Sequence, residues 1–405
     1  MTWPTVRMVD LFHVKHGYAF KGRYFASDGP YVLLTPGNFK EEGGYREQGE
    51  KTKFYTDDVP DNYILEEGDL LVAMTEQAPG LLGSSAWIPE SNRLLHNQRL
   101  GRIVDLDEKR LCKRYLYYLF NMREVRQQIS ARATGGKVRH TAPERIGQVI
   151  VRLPPLGMQL RAADVLSAYD NLIENNRRRI VLLENAVGQL YREWFVRLRF
   201  PGYEHTRIKD GVPEGWEKGT AFSAMEVRSG GTPKTTVPDY WGGEISFYTP
   251  KDATETSYVL KTERAITELG LKNCNSRLYD TDTVFISARG TVGKLNLALR
   301  PMAMSQSCYA LIGKGHVSQL FLFCALKEAI EHFKQHAGGA VFDAIIVDTF
   351  KLIPFLVPEE KRVRHFEETV APMYRQVANL MEQNERLGTA RDLLLPRLMS
   401  GEVTV

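Results

Sequence analysis

The fold is decided by the stretch Asn171-Leu172-Ile173-Glu174-Asn175-Asn176-Arg177, because a related stretch, Asn379-Leu380-Met381-Glu382-Gln383-Asn384-Glu385, stands 208 residues later. Working outward, residues 135–159 (GGKVRHTAPERIGQVIVRLPPLGMQ) are echoed by residues 338–362 (GGAVFDAIIVDTFKLIPFLVPEEKR). A globular block followed by a long helix, used twice, predicts a molecule with pseudo-two-fold symmetry. Such symmetry suits a two-fold target, and DNA with paired half-sites is the leading candidate.

The composition is that of an ordinary soluble protein, with 405 residues, 43% of them hydrophobic and 25% charged. That length predicts two domains or more. No apolar run approaches the ~20 residues of a membrane span, and the N-terminus lacks a signal-peptide core. The cysteines show no CxxC pair, which indicates a reducing cytoplasm without disulfides or a zinc site. The net charge of +4 favours a polyanionic partner only weakly, so local loops or a partner must supply further cations.

Two α+β blocks are predicted from matching patterns of strands and helices. The first block, residues 1–152, has strand-like runs at 31–35, 69–74 and 99–104 and a helix at 115–131. The second block, residues 213–357, repeats this order with runs at 247–250, 282–287 and 305–307 and a helix at 320–336. The common order predicts two copies of one α+β unit.

Two coiled-coil helices are predicted from apolar residues that recur every seven positions. In the first helix these are Leu166, Ile173, Ile180, Val187 and Trp194, and in the second Phe366, Met373, Leu380, Leu387 and Leu394. Each helix spans roughly 40 residues, or about 60 Å. The repeat favours an antiparallel pair, and the alternative is that each helix packs on its own block. Gly388 and Pro396 predict that the second seam frays or ends near Leu395.

Two asparagines, Asn176 and Asn384, occupy apolar positions near the helix centres. Buried asparagines fix the register of a coiled coil at some cost in stability. Register would set the distance between the two blocks, but a solvated gap in the seam is an equally simple interpretation.

The chain resembles the specificity subunit of type I restriction–modification enzymes along essentially its whole length. The order of blocks carries the resemblance, together with the stretches at 17–21 (GYAFK), 153–156 (LPPL), 229–233 (SGGTP), 240–243 (YWGG), 286–293 (ISARGTVG) and 391–402 (RDLLLPRLMSGE). The resemblance implies target-recognition domains at 1–153 and 201–357, a central spacer helix at 154–200 and a C-terminal spacer helix at 358–405. The two α/β recognition domains would be joined by the antiparallel coiled coil.

That resemblance also implies the function and the partners. Each recognition domain would read one half of a bipartite site in double-stranded DNA, and the helices would set the spacing and dock two methyltransferase subunits. Restriction or translocase subunits would join through the complex, and no membrane would be involved. The chain itself would bind no cofactor, because S-adenosylmethionine belongs to the methyltransferase subunits.

No catalytic motif contradicts this non-enzymatic prediction. The sequence lacks an NPPY or DPPF methyltransferase motif, and its Gly290-Thr291-Val292-Gly293-Lys294 stretch lacks the leading glycine and the Ser/Thr of a phosphate-binding loop. Its nine histidines show no metal-ligand spacing. A coiled-coil adapter that reads no DNA remains the alternative function, and a fused catalytic subunit is a third. The cationic glycine loops argue against the adapter.

DNA-binding candidates in the first block combine cations, aromatic rings and glycines. Glycines let backbone amides approach phosphates, while Lys and Arg neutralise charge. Gln98 could read adenine, or simply close a strand end. The loop at 132–140 could instead be a solvated loop. The candidates are Lys15, Tyr18, Lys21, Arg23, Gln98, Arg132, Lys137, Arg139 and His140.

In the second block the glycine pair at 338–339 has no cations beside it, so the second half-site must be held differently. Arg289 is expected to reach a guanine or a groove, and Lys294 a phosphate. Gln306 stands where Gln98 stands in the first block. The candidates are Arg228, Thr232, Lys234, Lys251, Arg289, Thr291, Lys294 and Gln306.

Overall fold

A computed structural model describes residues 3–76, 80–136, 138–336 and 344–403. The chain divides into two compact units. Unit 1 comprises Met1–Asn171 and Leu387–Val405, and unit 2 comprises Leu172–Arg386. Each unit therefore contains one α+β block and a segment of both long helices. The boundaries fall inside the helices, so the four-part division at 153, 200 and 357 remains a description of the sequence and not of the compact units.

Unit 1 is built on two four-stranded sheets. Its strands are β1 (Thr5–Arg7), β2 (His13–His16), β3 (Phe25–Ala26), β4 (Tyr31–Leu33), β5 (Phe54–Tyr55), β6 (Leu70–Ala73), β7 (Ser85–Trp87), β8 (Leu94–Leu95), β9 (Leu100–Val104) and β10 (Ile150–Arg152). Its helices are α1 (Lys113–Asn121), α2 (Arg123–Ala131), α3 (Pro143–Gly147) and the start of α4 (Leu156–Tyr191). One sheet has the order β2-β9-β6-β7 and the other β3-β5-β4-β8. Every residue of β6 is buried, so this strand is central to the unit 1 core.

The single helix predicted at 115–131 is wrong, because the segment forms two helices, α1 and α2. Met122 between them is extended, with ψ of 141°. The Asn121 side chain donates to the Tyr117 carbonyl at 2.9 Å and to Ser85 Oγ at 3.0 Å. A side-chain amide that takes a helix carbonyl competes with the backbone bond and favours a break there.

Unit 2 has a five-stranded sheet in the order β14-β21-β18-β19-β16 and a three-stranded sheet in the order β17-β15-β20. Its strands are β11 (Ile208–Lys209), β12 (Val212–Pro213), β13 (Glu217–Thr220), β14 (Met225–Ser229), β15 (Trp241–Tyr248), β16 (Tyr258–Val259), β17 (Arg264–Ile266), β18 (Val284–Ser287), β19 (Leu295–Ala298), β20 (Met302–Met304), β21 (Cys308–Gly313) and β22 (Pro354–Val357). Its helices are α5 (Ala221–Ala224), α6 (Glu268–Lys272), α7 (Gln319–His336), α8 (Thr349–Leu352) and most of α9 (Glu360–Ser400).

The internal repeat is visible in corresponding elements of the two units. In unit 1 the block is closed by antiparallel pairing of β1 with β10, and in unit 2 by pairing of β13 with β22. Each block also has a short turn that begins at a threonine and proline. The Thr35 N–H donates to Asn38 Oδ1 at 2.9 Å, and the Thr249 N–H donates to Asp252 Oδ2 at 2.8 Å. These matching caps confirm the predicted correspondence of the two α+β copies.

The two long helices follow the predicted heptads. Helix α4 has 36 residues and continues as a π-helical turn over Arg192–Val196, and α9 has 41 residues. Buried seam residues are Leu166, Ile173, Ile180, Val187, Trp194, Phe366 and Leu380, while Met373, Leu387 and Leu394 are half-buried. Leu198, in the left-handed region at φ of 57°, follows the π-helical turn.

The helices run antiparallel, because within each unit an early part of one meets a late part of the other. In unit 1, Asp170 of α4 accepts a hydrogen bond from Arg391 of α9 at 2.6 Å. In unit 2, the rings of Tyr191 and Phe366 lie 6.0 Å apart. The two early predictions, of pairing between helices and of packing on the blocks, therefore both describe part of the structure.

The predicted end of the second seam near Leu395 is wrong. Helix α9 continues through Pro396 to Ser400, and Leu398 and Met399 are buried in the unit 1 core. Proline removes one backbone donor, but burial of the Leu398 and Met399 side chains stabilises the helix beyond it. Among the described residues, no helix is both long and apolar enough to cross a membrane.

Candidate nucleic-acid interface

The same close backbone crossing occurs beside the first candidates in both units. A Cβ at Gly17 would lie 2.0 Å from the Asn97 carbonyl oxygen, and a Cβ at Gly230 would lie 2.2 Å from the Ser305 carbonyl oxygen. Only glycine allows such an approach. The crossings place Gln98 and Gln306, each the next residue, at equivalent positions, as the sequence predicts.

In unit 1 this crossing brings Tyr18 and Gln98 together. The Tyr18 N–H donates to the His96 carbonyl and the Gln98 N–H to the Tyr18 carbonyl, both at 2.9 Å. The Gln98 side chain is exposed, so it is available to a ligand. Tyr18 also packs on Tyr63, with ring centres 5.2 Å apart.

The neighbouring cations differ in how firmly they are held. Lys15 donates to the Asn62 carbonyl at 3.0 Å and lies 4.9 Å from the centre of the Tyr63 ring. Arg23 donates to the Tyr24 hydroxyl at 2.8 Å. Lys21 is exposed. The structure thus collects the predicted Lys15–Arg23 stretch on one partly aromatic surface.

His96 supports this surface from below. It is fully buried, its Nε2 donates to the Leu100 carbonyl at 2.9 Å, and burial lowers its pKa to about 4. It is therefore neutral near pH 7 and acts as a fixed part of the scaffold.

The predicted cationic loop of unit 1 is a tight turn fixed to helix α2. Thr134 and His140 exchange two backbone hydrogen bonds of 2.8 and 2.7 Å, and Gly135 has φ of 108°. The Arg139 guanidinium donates to Ser130 Oγ at 2.6 Å and to the Ser130 carbonyl. Arg132 also donates to a carbonyl of α2, that of Gln128, at 3.2 Å. Both arginines are therefore already hydrogen-bonded within the unit.

These contacts place cations at the C-terminal end of α2, where they complement the helix dipole. His140 bonds Thr75 Oγ1 through Nδ1 at 3.0 Å. Lys137 lies outside the described residues, as does the glycine pair of the second block at 338–339.

In unit 2 the structure brings Thr232 and Gln306 into direct contact. Thr232 Oγ1 donates to Gln306 Oε1, and Gln306 is exposed. Lys234 is exposed, and its carbonyl accepts from Trp241 Nε1 at 3.2 Å. Arg228 is paired with Glu226 at 2.6 Å, so part of its charge is neutralised within the unit.

The loop after β18 presents the most available arginine of the predicted set. Arg289 is exposed and has no hydrogen bond or ion pair to another described residue. Gly290 has φ of 83°, and Thr291 Oγ1 donates to the Pro250 carbonyl at 2.8 Å, which fixes the loop beside it. Lys294 is already paired with Glu255 and would have to leave it to reach a phosphate.

Lys251, at the turn that anchors Thr291, makes an exposed ion pair with Glu263 at 3.9 Å. An exposed pair at this distance contributes little, so Lys251 stays available. The sequence-based interpretation missed two other cations, Lys53 and Arg264, which lie on aromatic rings. Their ring partners are far along the chain and are brought near by strand pairing, so no local motif could have indicated them.

Nothing in the described part of the chain resembles a catalytic centre. No group of three or more His, Cys, Asp or Glu residues could hold a metal ion there. Burial raises the pKa of the Cys308 and Cys324 thiols to about 12. Such thiols stay protonated near pH 7 and are poor nucleophiles.

The helix centres of unit 2 contain the two predicted asparagines. Asn176 is 2% exposed, and its Nδ2 has no hydrogen-bond acceptor among the described residues. Asn384 is half-buried, and its Oδ1 is a buried acceptor without a donor among those residues. One amide thus lacks an acceptor and the other lacks a donor.

Comparisons with known proteins agree on one family. A family model described as the type I restriction modification DNA specificity domain matches residues 1–185 and 213–365. The MjaIX specificity subunit of Methanocaldococcus jannaschii is 23% identical over 78% of this chain and 74% of its own. The HindI specificity subunit of Haemophilus influenzae is 25% identical over 47% of this chain and 42% of its own.

A solved structure shares the fold. The type I restriction–modification S subunit from M. genitalium aligns with a TM-score of 0.59 at 16% identity, covering 98% of this chain and 96% of that one.

Proposed function

Because the chain belongs to the family of type I restriction–modification DNA specificity domains, whose members recognise DNA target sites, we propose that it reads a bipartite site, one half with each unit. The duplicated glycine crossing at Gly17 and Gly230 carries this proposal, since it presents an exposed glutamine at the same place in each unit. Two equivalent surfaces imply two half-sites. The adapter function is not favoured, since an adapter needs neither surface.

The two units are proposed to use different side chains. In unit 2, Arg289 has free guanidinium donors, which suit a bidentate contact with guanine. In unit 1, the exposed Gln98 amide can both donate and accept a hydrogen bond, which suits a bidentate contact with adenine. Lys137 and Lys21 are proposed to contact phosphates, which position the protein without reading sequence.

The antiparallel helices are proposed to set the distance between the half-sites and to dock two methyltransferase subunits. A continuous 41-residue helix is about 60 Å long and transmits distance without a flexible linker. Val181 and Leu182 of α4 and Leu393 of α9 are more than half exposed. Apolar side chains on exposed helix faces suit burial against a protein partner.

Chemistry is proposed to reside in the partners. The methyltransferase subunits would bind S-adenosylmethionine, and restriction or translocase subunits would join through the complex. This chain would then be the non-catalytic reader, in line with its inert thiols and with the family to which it belongs.

The decisive experiment maps methylated DNA in cells that express the chain with its methyltransferase subunits. We expect a split recognition sequence with half-sites about one helical turn, roughly 10 base pairs, apart. One continuous sequence would overturn the bipartite proposal. A gel-shift series with and without the methyltransferase subunits then shows whether they supply the cations that a net charge of +4 lacks.

Arg289→Ala tests the assignment of units to half-sites. The variant should weaken binding by about 1–3 kcal/mol and relax one half-site only. Lys137→Ala should weaken binding to all sequences and reduce the salt slope by about 0.9. A change of preference in both half-sites for Arg289→Ala would show that the units do not read separately.

Spacing is tested by inserting four helical residues after Arg178. The insertion adds about 6 Å and turns the helix roughly 40° beyond one full turn. The unread spacer should lengthen by one to two base pairs, at about 3.4 Å each, with both half-sites unchanged. A Gly/Ser insertion of equal length is the control and should mainly weaken binding. An unchanged spacer in the helical variant would mean that the partner subunits set the distance.

A further inference from the structure

An exposed cation lies over an aromatic ring in each unit. In unit 2, the guanidinium carbon of Arg264 is 3.4 Å from the centre of the Trp241 ring. In unit 1, Lys53 Nζ is 5.9 Å from the centre of the Phe25 ring. Neither pair was among the residues expected from the sequence to contact a ligand.

Strand register shows that the two pairs are equivalent. In unit 1, Phe25 of β3 and Tyr31 of β4 both pair with Tyr55 of β5. In unit 2, the single strand β15 takes the place of β3 and β4, and Trp241 pairs with Ile266 of β17 as Phe25 pairs with Tyr55. In both units the cation stands two residues before the residue that pairs with the ring. The repeat has therefore kept a cation and a ring at one structural position.

The two cations are ordered without being neutralised. Lys53 and Arg264 are both exposed, and neither side chain makes a hydrogen bond or an ion pair with another described residue. Their backbone carbonyls accept hydrogen bonds from Leu33 N–H and Thr262 Oγ1, so only the backbone is fixed by such bonds. Contact with a ring face attracts a cation and limits its motion but leaves its N–H donors free. A cation kept only for solubility has no need of a ring at the same place in both copies.

Both pairs lie beside the candidate interface of their own unit. Trp241 Nε1 donates to the carbonyl of Lys234, two residues from Thr232, which bonds the exposed Gln306. In unit 1, Phe25 follows the candidate Arg23 by two residues in the sequence. Phe25 and Phe20 also both contact the Tyr55 ring. The stacked cation of each unit therefore lies near the candidate interface of that unit.

We propose that Lys53 and Arg264 are phosphate-binding residues, one for each half-site, held in position by Phe25 and Trp241. This inference rests on the proposed DNA-reading function and adds residues to it. Lys in one copy and Arg in the other supply the same charge but different base-reading geometry. The two copies keep a positive charge at this position but not the same residue type. This is what contact with phosphate requires, because the DNA backbone is the same in both half-sites.

Salt dependence of DNA binding is the test, measured with the full chain assembled with its methyltransferase subunits. The variants are Arg264→Gln, Lys53→Gln and the double substitution. Each single variant should make the plot of log affinity against log salt shallower by about 0.9, and the double variant by about 1.8. The methylated sequence should not change. Lys209→Gln is the matched control, because Lys209 is an exposed cation of unit 2 that contacts no aromatic ring among the described residues, and its slope should equal that of the original chain.

A second pair of variants tests the ring. Trp241→Leu keeps the charge of Arg264 and removes its support, so it should lower affinity while it leaves the salt slope nearly unchanged. Trp241→Phe should restore most of that affinity. Equal affinity for both ring variants would overturn the positioning role of Trp241.

Three outcomes are distinguishable. Unchanged slopes for both Arg264→Gln and Lys53→Gln, with specific binding intact, would overturn the phosphate assignment alone. A changed base preference in the methylated sites would show that these cations read bases. If the unsubstituted assembly shows no specific DNA binding and instead captures an acidic protein, the proposed function fails and the assignment fails with it.

Discussion

The two units differ in some of the contacts between their α+β blocks and the long helices. In unit 1, the Asp170 carboxylate of α4 accepts from the Tyr118 hydroxyl at 2.6 Å and from Arg391 of α9 at 2.6 Å. In unit 2, at a different point along the helices, an aromatic cluster forms in which Phe366 of α9 meets Tyr191 and Phe195 of the first long helix. The repeat has thus preserved topology while the contacts that hold the block to the helices have diverged.

That divergence is visible residue by residue at the 208 offset. Asp170 and Arg391 correspond to Ala378 and Leu183, so a charged pair in one unit is apolar in the other. A half-buried ion pair gains little over apolar packing, and breaking it is costly, because one charge is left without a partner. Aromatic packing contributes through buried area. We therefore expect a charged contact at Asp170 to matter in unit 1 and aromatic packing at Phe366 to matter in unit 2.

The largest effect should come from the aromatic cluster. Phe366 is fully buried, so Phe366→Ala should lower the free energy of unfolding of unit 2 by about 3–5 kcal/mol. Met158, near the start of α4 in unit 1, is half-buried, and Met158→Ala should cost clearly less. Denaturant unfolding of both variants provides the measurement. Equal losses would show that the units are attached with similar energy.

Acid should destabilise unit 1 more than unit 2, because only unit 1 has a buried histidine, His96, at this position. Burial lowers the pKa of His96 to about 4, below its ordinary 6.5. Below pH 6.5 the unfolded chain binds a proton at His96 more readily than the folded chain does. The free energy of unfolding is therefore unaffected above pH 6.5 and falls as the pH drops towards 4, by roughly 3 kcal/mol at pH 4. The glycine crossings place Met304 at the equivalent position in unit 2, where no such loss can occur.

His96→Met is the corresponding variant. It should be less stable than the original at pH 7, because the bond to Leu100 is lost, but less sensitive to acid. Unfolding is followed between pH 7 and pH 4, with His140→Asn, at an exposed histidine, as the control. Parallel curves for His96→Met and the original chain would contradict the role of His96.

A smaller effect is expected when unit 1 is given the residues of unit 2. Burial and the Asp170 carboxylate raise the pKa of Tyr118, so its hydroxyl remains a donor. Asp170→Ala leaves Arg391 without this partner and should cost about 2 kcal/mol. The double variant Asp170→Ala with Arg391→Leu, which copies Ala378 and Leu183, should recover about half of that loss. Thermal unfolding of the single and double variants measures the coupling, and simple additivity would rule it out.

Sequence patterns predicted the long-range organisation because it depends on periodic burial. The seven-residue spacing of Ile173, Ile180 and Val187 predicted a seam, and all three are buried. The repeat predicted two α+β copies, and the glycine crossings agree. Patterns failed where local competition decided the outcome. The Asn121 side chain bonds the Tyr117 carbonyl, and α1 ends there. Helix α9 continues beyond Pro396, because Leu398 is buried in the unit 1 core.

The candidate interface was predictable only in part. The sequence places Gln98 and Gln306 at equivalent positions, and the glycine crossings agree, since short motifs at equivalent points of a repeat mark equivalent structure. The contact of Gln98 with Tyr18 was not predicted. The loop arginines bond to helix carbonyls, which composition could not indicate. Lys53 and Arg264 depend on strand register that joins distant segments. The sequence shows which residues are cationic, but it does not show which of them already bond or pair with other groups of the protein.

The smallest expected effect concerns Asn176 and Asn384, whose buried amides leave one donor and one acceptor without partners among the described residues. Apolar residues at both positions remove this unsatisfied polarity, so the Asn176→Leu/Asn384→Leu double variant should gain about 1 kcal/mol in stability. The same change removes two polar side chains from seam positions near the helix centres, so alternative helix registers become less costly. Thermal unfolding should therefore show a higher melting temperature, while methylation mapping shows more than one spacer length. A single spacer length together with a higher melting temperature would assign register to the blocks at the helix ends. A lower melting temperature would show that the two amides are stabilising as they stand.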